Sequence, residues 1–169
     1  MTQPPLVFDR TRLAANFAKR QGQSDFVTDL VIADLADRLA PITREFPKAL
    51  IIGPDPRLLP GAANSASGPI RFEKISSLLE VDGFATTDPE HLSLPARDYD
   101  LIVSLLDLQT VNDVPGFLEN LRRHIAPDGL LIAAAIGGRT LSELRDAFLA
   151  ADVEILGGVS PRVAPMIDV

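Results

Sequence analysis

The chain has 169 residues, of which 46% are apolar and 23% are charged, and it contains no cysteine. This length and balance predict one globular domain with its own core. The lack of cysteine excludes disulfides, thiolate catalysis and zinc–cysteine sites. The formal net charge of −7 and the absence of any run of Lys or Arg argue against a nucleic-acid partner, which leaves a small molecule or a protein.

Two helical segments are predicted before the first strand. Residues 8–20 form a basic lead-in that favours a short helix, and residues 21–23 interrupt it. Ser24 and Asp25 resemble an N-cap, and apolar residues then recur at four-residue spacing until Pro41, which predicts an amphipathic helix. We therefore divide the chain into an N-terminal lead-in, residues 1–23, and a domain, residues 24–169.

Strands and helices are predicted to alternate through the rest of the chain. The strand candidates are the apolar runs at residues 49–52, 70–75, 84–86, 99–106 and 129–136. Asn112 or Asp113 caps the helix before the last run, and this helix ends ahead of a turn at residues 127–129. Thr140 and Glu143 form a capping box for the helix that follows the last run. Residues 60–69 are rich in small side chains and predict a mobile loop. This alternation predicts a mostly parallel sheet with helices on both faces.

The location and the kind of site are limited by what the sequence lacks. No stretch approaches the roughly 20 apolar residues of a membrane span, and the N-terminus does not resemble a signal segment. The chain has two histidines, which argues against a multi-histidine metal site. We expect a cytoplasmic protein with neither a membrane span nor a metal centre.

Ligands of open parallel sheets bind beyond the carboxyl ends of the strands, so each strand end is a candidate. Gly53 opens the first loop, but two prolines stiffen this loop, which favours an ordinary turn over a binding loop. Glu73 is either a ribose ligand or half of a solvated charge pair with Lys74. Asp88 either accepts a hydrogen bond from an exocyclic amine or stabilises a turn.

The fourth and fifth strand ends carry further polar residues. Asp107 and Gln109 have no evident capping role and are therefore site candidates, whereas residues 112–113 are most simply helix caps. Two glycines at 137–138 precede Arg139 and a predicted helix. This arrangement suits an anion-binding nest of amides, and equally a plain strand-to-helix turn.

An ordered series of segments carries a family resemblance. The segments are 7–10, 100–104, 111–115, 126–130, 137–145 and 157–163, and the most specific of them reads Gly-Gly-Arg-Thr-Leu-Ser-Glu-Leu-Arg. The series resembles the class I S-adenosylmethionine (SAM) methyltransferase-like family that includes the respiratory complex I assembly factors and their alphaproteobacterial relatives. It is similar, more distantly, to the biotin-pathway methyltransferase that acts on malonyl-acyl-carrier protein. The resemblance covers essentially the whole chain.

The resemblance implies a Rossmann-like fold, SAM as cofactor and a set of site residues. Gly53 matches the first glycine of the SAM loop, Asp88 matches the acid that contacts the adenine amine, and residues 104–107 flank the methionine portion. The candidate cofactor residues are Gly53, Asp55, Glu73, Asp88, Ser104 and Asp107. The candidate substrate or partner residues are Gln109, Arg139 and Arg162. The resemblance assigns no catalytic residue.

The sequence departs from the family pattern at the cofactor site. The later glycines of the SAM loop are missing after Gly53, Lys74 stands where the ribose-binding acid is expected, and residues 109–110 replace an aromatic His-Trp pair. The scaffold motifs remain, a combination that indicates weakened or lost SAM binding. Relatives continue past residues 157–163 with a helix and an antiparallel strand pair, so we expect a truncated domain with a final sheet edge that favours a homodimer.

Three functions remain open from the sequence. The first is a SAM-dependent methyltransferase with an unknown acceptor, which Asp107 or Gln109 would help to orient. The second is a non-catalytic assembly or binding protein on the same scaffold, serving a respiratory complex through Arg139 and Arg162. The third is a nicotinamide dehydrogenase, which the missing Gly-x-Gly-x-x-Gly after the first strand argues against. We favour the methyltransferase class.

Overall fold

A computed structural model describes residues 6–164 and Met166 of the chain. The start of the predicted lead-in, residues 1–5, therefore lies outside the described residues. The chain divides into two compact units, residues 1–134 and residues 135–169, and each is described by itself. The predicted boundary between residues 23 and 24 stays a prediction.

The first unit is an α/β sheet structure. Its helices are α1 (Arg10–Ala18), α2 (Phe26–Leu39) and α3 (Val114–Arg122), with short 3-10 turns at Pro89–His91 and Leu108–Thr110. Its strands are β1 (Ala49–Gly53), β2 (Ala62–Ser65), β3 (Gly68–Ser76), β4 (Ala85–Thr86), β5 (Tyr99–Leu105) and β6 (Ile125–Ala134). The strand order is β2-β3-β1-β5-β6, with β4 also paired to β3. All pairs are parallel except β2 with β3, which confirms the predicted mostly parallel, Rossmann-like fold.

The core forms because the central strands are apolar on both faces. In β1, Ile51 shares a buried cluster with Val103 of β5 and with Leu35 and Leu39 of α2. The alternate residue Ile52 points to the opposite face, because successive side chains of a strand alternate, and it is also fully buried. The continuous apolar runs of the sequence therefore predicted these strands correctly.

The helix caps of the first unit follow from short polar side chains. Asp25 accepts a hydrogen bond from the Thr28 amide at 2.9 Å and begins α2, as predicted. Asp113, rather than Asn112, caps α3 by accepting from the Gly116 amide at 3.0 Å. None of the helices in the described part of the chain has the length and apolar character that crossing a bilayer requires.

Two predictions in the first unit are wrong. The predicted mobile loop at residues 60–69 contains β2, which forms an antiparallel hairpin with β3. The small side chains of β2 give no apolar strand pattern, because its exposed residues pair through their backbones rather than by burying apolar groups. The predicted turn at residues 127–129 instead lies inside β6, as an irregularity in its pairing with β5 where Asp128 has a φ of 66°.

The second unit contains one long helix, α4 (Ser142–Leu156). The predicted capping box of Thr140 and Glu143 does not form. The Thr140 amide instead donates to the Gly137 carbonyl at 3.0 Å, and this hydrogen bond closes a turn over residues 137–140, before the helix begins. Leu141 then occupies the position before the helix with a left-handed φ of 59°, and its side chain cannot cap.

Candidate functional site

The sheet reverses its order between β1 and β5, the position where open α/β sheets bind ligands. Gly53 ends β1 at this point. A Cβ atom on Gly53 would stand 2.8 Å from the Leu105 carbonyl oxygen and 2.9 Å from Cδ2 of Leu59. Glycine is therefore required here because the protein's own chain fills the space where a side chain would be.

The loop after β1 is closed by its own contacts. The Ser77 amide donates to the Gly53 carbonyl at 2.8 Å, and the Leu79 amide donates to the Pro54 carbonyl at 3.0 Å. Asp55 is buried and accepts hydrogen bonds from the amide, Nε and Nη2 of Arg57 at 3.0, 2.9 and 2.7 Å. Burial opposes ionisation of Asp55, but the Arg57 contacts prevail and lower its pKa. Both oxygens of Asp55 thus serve the loop itself.

The carboxyl ends of β3 and β5 are joined by a buried side-chain pair. The Ser77 hydroxyl donates to Oδ1 of Asp107 at 2.6 Å. Asp107 is only 1% exposed. Burial raises the pKa of Asp107 to about 6, although the Ser77 hydrogen bond and the nearby Arg10 charge favour its ionised form.

Buried polar atoms without a partner concentrate at the same edge. Among the described residues they are Oγ of Ser104, Oδ2 of Asp107, Oε1 of Gln109 and Nη1 of Arg10. Buried polar atoms in folded proteins nearly always have a hydrogen-bond partner, so this group of atoms is a candidate for contact with a ligand. Leu106, between these residues, has a left-handed φ of 53°, a strained geometry that is common at functional sites.

Arg10 enters this edge from α1, a position that no strand-end pattern in the sequence indicates. Its Nη2 donates to the Ser77 carbonyl, and its Nε lies 3.7 Å from Oδ1 of Asp88. Asn112 holds the preceding residues, because its Oδ1 accepts from the amides of Val7 and Phe8 at 2.8 Å each. The helix that carries Arg10 is thereby fastened beside the strand ends. Only the family match of residues 7–10 pointed to this segment.

Asp88 lies at the carboxyl end of β4, where it was predicted to contact adenine. Its Oδ1 accepts from the Glu90 amide at 3.0 Å, and its Oδ2 lies 3.1 Å from Nδ1 of His91. Partial burial opposes ionisation, but these hydrogen bonds and the Arg10 charge lower the pKa of Asp88. Its side chain remains 47% exposed, so it can still accept a further donor.

Glu73 is not brought to this edge. Its register partner is Leu50, near the start of β1, and β3 continues for three more residues to Ser76. At about 3.3 Å per residue, that places Glu73 roughly 10 Å back along the strand. Glu73 there accepts a hydrogen bond from the Tyr99 hydroxyl at 2.7 Å, and burial followed by this contact raises the pKa of Tyr99.

The predicted substrate or partner residues fall in both units. Gln109 lies in the first, where its Nε2 donates to the Leu106 carbonyl at 2.7 Å. In the second unit, Arg139 lies in the turn before α4, and Arg162 forms a fork with Asp152 through contacts of 2.9 and 3.1 Å. The Arg162 contact lowers the pKa of Asp152. Arg162 therefore already has an intramolecular partner.

The residues at the strand ends can be tested against the polar groups of SAM. Asp107 and Ser104 offer a buried carboxylate oxygen and a buried hydroxyl that lack partners, which fits the amino-acid end of the cofactor. The β1 loop offers no comparable unpartnered groups. Atoms of Leu105 and Leu59 occupy the space where a Gly53 side chain would be, and both oxygens of Asp55 accept hydrogen bonds from Arg57. The fit is thus to the ends of β3 and β5.

Comparison with known proteins agrees with this geometry. Residues 66–133 match a family described as a methyltransferase domain. The rat protein "Arginine-hydroxylase NDUFAF5, mitochondrial" is 34% identical over 94% of this chain and 50% of its own length. The human protein of the same name is 35% identical with the same coverage. "Malonyl-[acyl-carrier protein] O-methyltransferase" of Gallionella capsiferriformans is 40% identical over 38% of this chain and 22% of its own length.

These matches confirm the resemblance found in the sequence. The chain spans about half the length of the NDUFAF5 proteins that it matches. The matched domain begins at residue 66 and includes the ends of β3, β4 and β5, where the candidate residues lie. Over residues 66–133 the chain is therefore similar to methyltransferase domains, and along most of its length it is similar to the NDUFAF5 proteins.

Proposed function

We propose that this chain is a SAM-dependent methyltransferase that holds its cofactor mainly at the carboxyl ends of β3 and β5. The observation that carries the proposal is the group of buried, unpartnered polar atoms on Ser104, Asp107 and Gln109 at the end of β5. Methyl transfer depends chiefly on positioning the sulfonium methyl group in line with a nucleophile. A rigid strand end is well suited to that task.

The departures in the β1 loop shape this proposal. Gly53 packs directly against β5, and Asp55 is saturated by Arg57, so the loop contributes shape rather than hydrogen bonds to a cofactor. Asp88 remains half exposed at the neighbouring strand end, which supports its predicted role with the adenine amine. Glu73 has no comparable support, since it faces Tyr99.

The acceptor is the second part of the proposal. Relatives that overlap most of the chain are named arginine hydroxylases, so arginine is the first methyl acceptor to test. Gln109 is the candidate for orienting it, because its Oε1 is buried without a partner while its Nε2 is fixed on the Leu106 carbonyl.

Calorimetric titration of SAM and S-adenosylhomocysteine into the purified protein tests the cofactor proposal. We expect micromolar binding of both ligands, and weaker binding by Asp88→Ala. The exposed Asp82, on the loop after β3, offers a matched control as Asp82→Ala. Absence of binding by the folded wild-type protein would reject the methyltransferase proposal.

A non-catalytic binding protein on the same scaffold is the second candidate. The β1 loop favours it, since both oxygens of Asp55 accept hydrogen bonds from Arg57 and are not free for a cofactor. The partner expected from the resemblance is a respiratory-complex subunit. Co-purification that is lost in Arg139→Ala, with no binding of SAM, would support this candidate. Unchanged co-purification in that variant would exclude Arg139 from the contact.

Oligomeric state and location belong to the same proposal. In the described part of the sheet β6 pairs with β5 alone, so its other edge is available to a second copy. Light scattering on the eluting protein distinguishes a homodimer from a monomer. We propose a cytoplasmic location. Fractionation of cells that express the protein tests this proposal against the mitochondrial location named for the NDUFAF5 relatives.

A further inference from the structure

The chain of the second unit turns back along α4 after this helix ends. Gly157 follows the helix with a left-handed φ of 68°, which reverses the chain direction. Asp152, a buried residue of α4, then accepts hydrogen bonds from the Ser160 amide at 3.3 Å and from Arg162 at 2.9 and 3.1 Å. One carboxylate therefore holds residues 159–163 against the helix.

A cavity of about 180 Å³ remains between α4 and this returning segment. Arg145, Phe148 and Leu149 form its helical wall, and they share one face of α4 because they lie at i, i+3 and i+4. Residues 159–163 form the other wall. Asp152 follows Phe148 at i+4 on the same face, so the contacts that hold the segment lie one helical turn beyond the cavity.

The walls of the cavity are largely apolar and are exposed to solvent. Phe148 is 39% exposed, Leu149 40% and Val159 65%. Exposed apolar side chains that cluster in this way are typical of surfaces that bind another molecule. The cavity exceeds the roughly 150 Å³ that admits benzene, and it is smaller than the roughly 300–1,000 Å³ of pockets that enclose a small-molecule ligand. Its size therefore suits one large apolar side chain of a protein segment.

The charges at the cavity indicate which kind of segment it binds. Arg162 pairs with Asp152, so its charge is compensated within the unit. Arg145 is half-buried in the wall and makes no ion pair with any residue that the structure describes. A carboxylate is the group that a guanidinium binds best. We propose that the cavity is a docking site for an acidic segment of a partner protein, whose Leu or Phe side chain fills the cavity while a neighbouring Asp or Glu binds Arg145.

Three short peptides test the proposal on the wild-type protein. The probe is acetyl-Gly-Glu-Leu-Gly-amide, and the two control peptides replace its Glu with Gln or its Leu with Ala. In NMR titrations of isotope-labelled protein, the probe should shift the amide signals of Leu149, Ser160 and Val163. We expect the Ala peptide to bind at least about 10-fold more weakly, because it buries less apolar surface. The Gln peptide should bind about 2- to 5-fold more weakly, the usual effect of a solvent-accessible ion pair.

Substitutions in α4 assign the two preferences to their residues. Phe148→Ala removes the ring from the wall and should weaken binding of the probe at least about 10-fold. Ile155→Ala is the matched control, because Ile155 is 78% exposed on the same helix and does not line the cavity, and this variant should bind normally. Arg145→Gln should bind the Glu and Gln peptides equally, whereas Arg145→Lys should keep a preference for Glu.

Each outcome decides the proposal separately from the cofactor site, because the titrations contain no SAM and all residues of the cavity belong to the second unit. Equal binding of the Glu and Gln peptides by the wild type would overturn the acidic partner. No shift of cavity signals at millimolar probe would overturn the docking site altogether. Light scattering gives the remaining outcome: a wild-type dimer that becomes a monomer in Phe148→Ala would overturn the proposal in favour of a second copy of the chain as the occupant.

Discussion

Replacing Asp107 with Asn should change how the stability of the protein depends on pH. Burial raises the pKa of this carboxyl from 3.8 to about 6. The folded state therefore binds a proton more tightly than the unfolded state, and the free energy of unfolding falls as the pH rises through the window from about 4 to about 6. At about 1.4 kcal/mol per pKa unit, the full loss is about 3 kcal/mol. Asp107→Asn retains an acceptor for the Ser77 hydroxyl and should lack this loss.

Urea unfolding of both proteins between pH 4 and pH 8 measures the effect. Between pH 4 and pH 7, we expect the free energy of unfolding of Asp107→Asn to rise by about 3 kcal/mol relative to that of the wild type. The variant should then be the more stable protein at neutral pH. Asp82→Asn, an exposed change, should follow the wild-type curve. A stability difference between wild type and Asp107→Asn that stays constant over this pH range would refute the argument that burial of Asp107 costs the folded state.

Three further substitutions test the assignments around the sheet and in the second unit. Gly53→Ala should destabilise the protein by about 1–3 kcal/mol in urea unfolding, because a backbone carbonyl lies 2.8 Å from the new Cβ, whereas Gly61→Ala, with no atom within 4 Å, should not. Glu73→Gln should leave the affinity for S-adenosylhomocysteine unchanged in calorimetry, and a clear loss would restore its predicted ribose role. Arg162→Ala should speed hydrogen exchange of the Ser160 amide, which shares its aspartate partner, and unchanged exchange would show that the fork does not order this segment.

The sequence predicted those parts of the fold that leave a compositional signal. Strands buried on both faces must be continuously apolar, so β1 and β5 were evident from their residues alone. The hairpin strand β2 was missed because it is held by backbone hydrogen bonds, and its small side chains bury little. The bulge in β6 was predicted to be a turn, because Pro-Asp-Gly favours a turn and a bulge within a strand by the same local chemistry.

The candidate site was predictable only where it lies directly after a strand. Asp107 and Asp88 follow strand ends and were identified, and the structure places them at the predicted edge. Glu73 was assigned by counting along a strand whose end the sequence does not fix, and β3 extends three residues beyond it. Arg10 could not be inferred by this route, because it comes from a separate helix about 100 residues from Asp107 and joins the site only through tertiary contacts.

The contrast between the β1 loop and the end of β5 bears on how such a scaffold keeps a ligand site. A glycine-rich loop offers backbone amides, whereas here the prolines of the loop remove donors and Arg57 occupies the acidic side chain. At the end of β5 the polar groups are buried side chains, of which Asp107 is held by the Ser77 hydroxyl. Loss of the loop glycines is therefore compatible with the proposed cofactor binding, because the groups assigned to the cofactor lie at the end of β5 rather than on the loop.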